Sequence, residues 1–202
     1  AEFLAQRFDA IPPSVWAARI SAGEVVDAHG THVTMARRHQ PNLRVYYYRS
    51  LPTEPRVPFD EVVLFQDAHI VVADKPHFLP VTPSGSHLQE TLLVRLKRRL
   101  GIDTLAPVHR IDRETAGLVL FSIQPSTRGR YQQVFAARSV TKTYECIAPW
   151  RDELVLPLTH RTRLVDDTHF MRMRETPGEA NAETHIELLE RSGALARYRL
   201  SP

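Results

Sequence analysis

Leucines recur at every fourth position through Leu88, Leu92, Leu96 and Leu100, Leu93 widens the apolar stripe, and Gly101 follows as a stop. That spacing predicts an amphipathic helix over 86–100. Its polar side carries Arg95, Lys97, Arg98 and Arg99. Two readings stand there: a solvated basic end that suits the helix dipole, which weighs more, and a contact for RNA. A second helix is predicted over 126–137. Runs rich in β-branched and aromatic residues predict strands at 117–122, 140–147, 182–189 and 194–200, with Ser192-Gly193 turning the last pair. The runs 61–65 and 69–73, split by Gln66-Asp67, read as a hairpin, and the prolines of 74–83 fix a loop after it.

The first 50 residues pattern differently. Phe3, Leu4 and Phe8, then Val15, Trp16 and Ile20, predict two short helices split by Ile11-Pro12-Pro13-Ser14, with Gly23 ending the second. Strand and turn are predicted at 24–31, and a further strand at 42–49. Three prolines within 51–58 read as an extended linker. The chain thus divides into a small module at 1–50, a linker at 51–58 and a larger domain at 59–202. The irregular order of helices and strands predicts an α+β fold with a mostly antiparallel, mixed sheet, and lacks the regular β–α alternation of a doubly wound one.

Composition narrows the function classes. With 43% hydrophobic and 24% charged residues, the 202-residue chain is that of an ordinary globular protein. No apolar run approaches the roughly 20 residues of a membrane helix, and the first residues do not read as a signal peptide. Cys146 is the single cysteine, which excludes an internal disulfide framework and points to a reducing, cytoplasmic setting. The net charge of +3, carried mainly by arginine, is compatible with phosphate contacts. No Gly-rich phosphate loop is found, and the histidines form no metal set; His29 and His32 come nearest.

The segment that carries chemistry runs from Pro107 to Phe121, where a dense polar cluster stands directly before an apolar strand. Such a loop holds catalytic groups on a rigid scaffold, or is a surface salt-bridge loop; residue types alone leave both open. Within it, His109-Arg110-Ile111-Asp112-x-x-Thr115-Ala116-Gly117-Leu118 resembles the H-R-L-D-x-x-T-S-G-L signature of RluA-type pseudouridine synthases, with Ile111 and Ala116 as the departures. Three further stretches agree in order. Val72 to Val81 resembles V-x-x-K-P-x-G-L-x-V, with Phe78 in place of the glycine. Val140 to Tyr144 resembles the v-x-K-x-Y strand. Residues 183–202 resemble the strand pair that leads into the motif T-G-R-x-H-Q-[IL]-R.

The resemblance covers about residues 58–202 and implies a pseudouridine synthase fold and activity. Two short helices followed by small strands make the first 50 residues similar to the alpha-L RNA-binding modules found ahead of many such enzymes, with a plain structural subdomain as the equal alternative. The implied reaction detaches uracil at N1, turns the base and rejoins it through C5, with no redox change and no cofactor. The implied nucleophile is Asp112. Arg110 is implied to hold open the stack from which the uridine is extruded, or else to be a structural partner of Asp112. Tyr144, by β-propensity alone a core residue, is implied to pack on the flipped uracil and to take part in removing its C5 proton, and Lys142 to support it or contact phosphate from the same strand face. His109 and Thr115 are expected to shape the loop, Lys75 and Pro76 to form a structural strand exit. The implied partner is RNA, ribosomal or transfer, bound by a monomer.

The chain reaches Ser201-Pro202 where the arginine-bearing motif should begin, so it is expected to be truncated, with a less reactive Asp112. This keeps open a catalytically silent RNA-binding protein of the same fold. An unrelated carboxylate hydrolase is the weakest alternative, because Asp112 and Glu114 stand only two residues apart.

Overall fold

The computed structural model describes residues 2–8, 11–48, 53–168 and 172–202. Two compact units result, Ala1–Arg128 and Gly129–Pro202. The first opens with helices α1 (Glu2–Arg7) and α2 (Pro13–Ser21) and the short antiparallel strands β1 (Val25–Asp27) and β2 (Val45–Tyr47). Pro13 stands in the first turn of α2, where a missing N–H costs nothing. Trp16 is fully buried and packs edge-on against Tyr47 at 4.9 Å, with Arg19 over both rings. The strand predicted at 42–49 is shorter than its pattern, and Arg49 lies outside the described residues.

The same unit continues with β3 (Val62–Gln66), β4 (Ile70–Lys75), α3 (Leu92–Leu100), β5 (Ala106–Pro107) and β6 (Gly117–Ser122). They make a four-stranded antiparallel sheet in the order β3-β4-β6-β5. Period-two alternation turns Val71 and Ala73 of β4 and Val119 and Phe121 of β6 inward, onto Leu92 and Leu96 of α3. Val57, Leu79, Val81 and Leu105 complete this core.

Helix α3 starts six residues later than its leucine spacing predicts. Residues ahead of Thr91 bend into turns because their amides have better partners elsewhere. The Glu54 carboxylate accepts the N–H groups of Leu88, Gln89 and Glu90 at 2.6, 2.9 and 2.8 Å. Pro80 and Val81 carbonyls accept those of Leu92 and Leu93. Thr91, in extended conformation, then caps the helix, and Gly101 closes it at φ +67°. The basic side of α3 is largely spent within the protein. Arg95 pairs with Glu90 and Glu61, Arg99 with Glu61, and Arg98 bonds Gln89. Residues 53–57 form no helix or strand and the chain bends at Pro58, with Leu51 and Pro52 outside the described residues; Arg95 holds the segment by donating to the carbonyls of Val57 and Phe59.

Helix α4 (Pro125–Ala136) carries the chain into the second unit. There β7 (Tyr144–Pro149), β8 (Leu158–Asp166), β9 (Met173–Thr176), β10 (Ala182–Ser192) and β11 (Leu195–Ser201) form an antiparallel sheet in the order β7-β11-β10-β8-β9. The pattern does not foretell β8 and β9. Their residues are mostly exposed and polar, so apolar alternation is missing; cross-strand pairs such as His160–Glu175 and Arg161–Glu183 stand in its place. Among the described residues every strand pairing is antiparallel, within an α+β fold.

Candidate active site

Strand β5 runs back along β6, and the loop between them holds the polar cluster. Val108 extends the pairing by donating its N–H to Leu120 O at 2.8 Å. The Leu120 N–H donates in turn to His109 Nε2 at 3.2 Å, which anchors the loop to β6 and leaves the imidazole proton on Nδ1. Beyond it the chain turns: the Thr115 N–H donates to the Asp112 carbonyl at 3.1 Å. Gly117 re-enters the sheet at φ +122° with open space where a Cβ would stand. Backbone conformation alone therefore calls for glycine there. The turn leaves the Asp112 side chain and Arg110 exposed. No ion pair joins those two; within the loop the pair is Arg113–Glu114 at 2.7 Å, which holds the Glu114 carboxyl below its ordinary range.

Beneath the loop lies a residue assigned only a strand exit from sequence. Lys75 ends β4 opposite Gly117 and is completely buried. Its ammonium donates to Leu79 O at 2.8 Å, Pro76 O at 3.0 Å and Arg113 O at 3.2 Å. Burial lowers its pKa from 10.5 to about 8, against the opposing pull of the Glu114 and Asp112 carboxylates. A signal was present in the sequence: the inward phase Val71, Ala73 lands next on Lys75. His77 makes a second clamp, donating from Nδ1 to Glu114 O at 2.7 Å. Phe78 follows at φ +66° and is 53% exposed, so it occupies a glycine-like backbone conformation with a bulky side chain.

His109, Arg110, Asp112 and Thr115 thus share one loop of the first unit. Tyr144 and Lys142 belong to the second. Tyr144 opens β7 opposite Leu200 and is half-buried. Lys142 precedes the strand, which begins two residues later than an alternation with Tyr144 requires, so the shared strand face expected for the two is corrected. Cys146, also in β7, is half-buried. Among the described residues no group of three His, Cys, Asp or Glu could hold a metal ion. No helix among them is long and apolar enough to cross a membrane.

Comparison with known proteins adds an independent line. The sequence profile described as RNA pseudouridylate synthase matches residues 69–202. An uncharacterized RNA pseudouridine synthase of Synechocystis is 30% identical over 146 residues, covering 72% of this chain and 50% of that protein. The tRNA pseudouridine(31) synthase of Saccharomyces cerevisiae is 29% identical over 123 residues, covering 59% and 30%. Among solved structures, human RNA pseudouridylate synthase domain containing 1 aligns with a TM-score of 0.58 at 16% identity, over 74% of this chain and 62% of that one. The chain spans half or less of the length of these two curated relatives.

Proposed function

Because this chain belongs to the RNA pseudouridylate synthase family, we propose that its protein isomerises specific uridines in structured RNA, ribosomal or transfer, to pseudouridine, with Asp112 as nucleophile. The observation that carries this reading is the presentation of Asp112: an exposed carboxylate on a tight turn whose backbone is held by Lys75, His77 and His109. A group so held keeps its geometry when a substrate arrives, which is what positioning contributes to a barrier. The carboxylate attacks the target nucleotide, the bond from N1 to ribose C1′ breaks, the base turns, and C5 bonds C1′; the C5 proton then leaves, N1 takes up a proton, and the bond to the Asp112 carboxylate breaks to free the enzyme. Electrons balance within the nucleotide, so no cofactor is called for. Arg110, exposed two residues before Asp112, fills the gap left in the base stack. Tyr144 packs on the flipped uracil, Lys142 supports it or meets phosphate, and His109 and Thr115 hold the loop. The same reading places a monomer in the cytoplasm, with residues 1–50 as an RNA-contacting module and 59–202 as the catalytic domain.

The test maps pseudouridines in cellular RNA from cells with the gene, without it, and with Asp112→Ala. The expected result is a set of sites lost in the deletion and not restored by the variant. If the deletion loses no site, the isomerase reading is wrong; if Asp112→Ala restores every site, the nucleophile is another residue.

A further inference from the structure

The Asp112 loop has a neighbour that the proposed chemistry does not use. Beside it lies a cavity of about 540 Å³ whose wall includes Phe59, Asp60, Asp74, Lys75, His77 and Phe78. Phe78 holds a left-handed backbone at φ +66°, and its ring stays about half exposed rather than joining the core. Strain of that kind gathers at ligand clamps, where the surrounding structure keeps it in place. Here His77 does so: its ring lies 5.9 Å from that of Phe78, and its Nδ1 is bonded to Glu114 O, two residues from Asp112. Phe59 adds a second aromatic ring to the wall, 49% exposed. Exposed aromatic rings offer a π-face to any unstacked base. The carboxylates of Asp60 and Asp74 repel phosphate and accept hydrogen bonds from an amino-bearing base edge.

We propose that Phe78, with Phe59 and Asp74, forms a stacking subsite for a purine of the RNA that flanks the target uridine. The proposal rests on the RNA-modifying reading above and deepens it, by giving the site a preference outside the reacting base.

The probe is a short oligouridine RNA carrying one 2-aminopurine, whose fluorescence is quenched when it stacks, titrated into the whole chain. The wild type and Phe78→Trp are expected to quench it. Phe78→Gly is expected to lose most of the quenching and to bind about tenfold more weakly. Its melting temperature should not fall, because glycine suits the backbone at that position. Asp74→Ala should erase the preference for the 2-aminopurine probe over plain oligouridine. The subsite is overturned if the wild type leaves the probe unquenched, or if Phe78→Gly quenches and binds as the wild type does. Pseudouridine mapping reads the chemistry separately, so a protein that quenches the probe yet modifies no uridine loses the isomerase reading and keeps the subsite.

Discussion

The ammonium of Lys75 donates to the carbonyl of Arg113 at 3.2 Å, one residue beyond Asp112. A buried cation at the end of β4 is thereby tied to the backbone that presents the proposed nucleophile. Lys75→Met keeps the volume and removes the tie. Losing three hydrogen bonds and losing a desolvated charge offset each other, so global stability is expected to change by less than about 2 kcal/mol. Local order should fall more: hydrogen exchange at the Thr115 amide should speed up, and pseudouridine formation should drop by about tenfold or more. Unchanged exchange at Thr115 with unchanged activity would remove Lys75 from the site.

Lys75 also makes stability depend on pH in a stated direction. Its folded pKa is lowered to about 8 from 10.5, so between those values the unfolded chain binds more protons than the folded one. Stability attributable to this group therefore rises as pH climbs from about 8 to 10.5, and is flat below. Urea unfolding of wild type and Lys75→Met across that window should show the wild type gaining relative to the variant. A constant difference would contradict the assignment.

Glu54 acts where the predicted first turns of α3 are absent, accepting three backbone amides. Burial opposes its charge, yet the amides of Gln89, Glu90 and Leu88 hold the carboxyl below its ordinary value. Glu54→Ala is expected to cost about 2 kcal/mol at neutral pH. A depressed carboxylate contributes stability above the unfolded pKa and loses it as pH falls through the folded one. The gap between wild type and variant should accordingly narrow in acid, read by thermal melts from neutral pH down to about 3.

Leu96 is fully buried between α3 and the sheet that carries the loop. Leu96→Ala should destabilise the protein by about 3 kcal/mol, through lost transfer energy and the cavity left behind. Arg98→Ala, on the exposed side of the same helix, should cost under about 0.5 kcal/mol. Comparable losses in denaturant unfolding would mean that α3 does not pack as described.

The sequence by itself determined the elements whose signals are local. Pro13 and Gly23 bracketed α2, Gly101 closed α3, runs of β-branched and aromatic residues placed β4 and β6, and the run from His109 to Leu118 named the loop and its family resemblance. Tertiary structure decided what depends on partners distant in the chain. Residues 86–91 leave the helix because Glu54 and the 80–81 carbonyls take their neighbourhood's amides, a competition that leucine spacing does not encode. Strands β8 and β9 expose mostly polar residues, with His160 pairing to Glu175 between them and Arg161 to Glu183 of β10, so they carry no apolar rhythm to read. Lys75 is the same case at the site: the residue is visible in the sequence, but only folding brings its ammonium to the Arg113 carbonyl, 38 positions away.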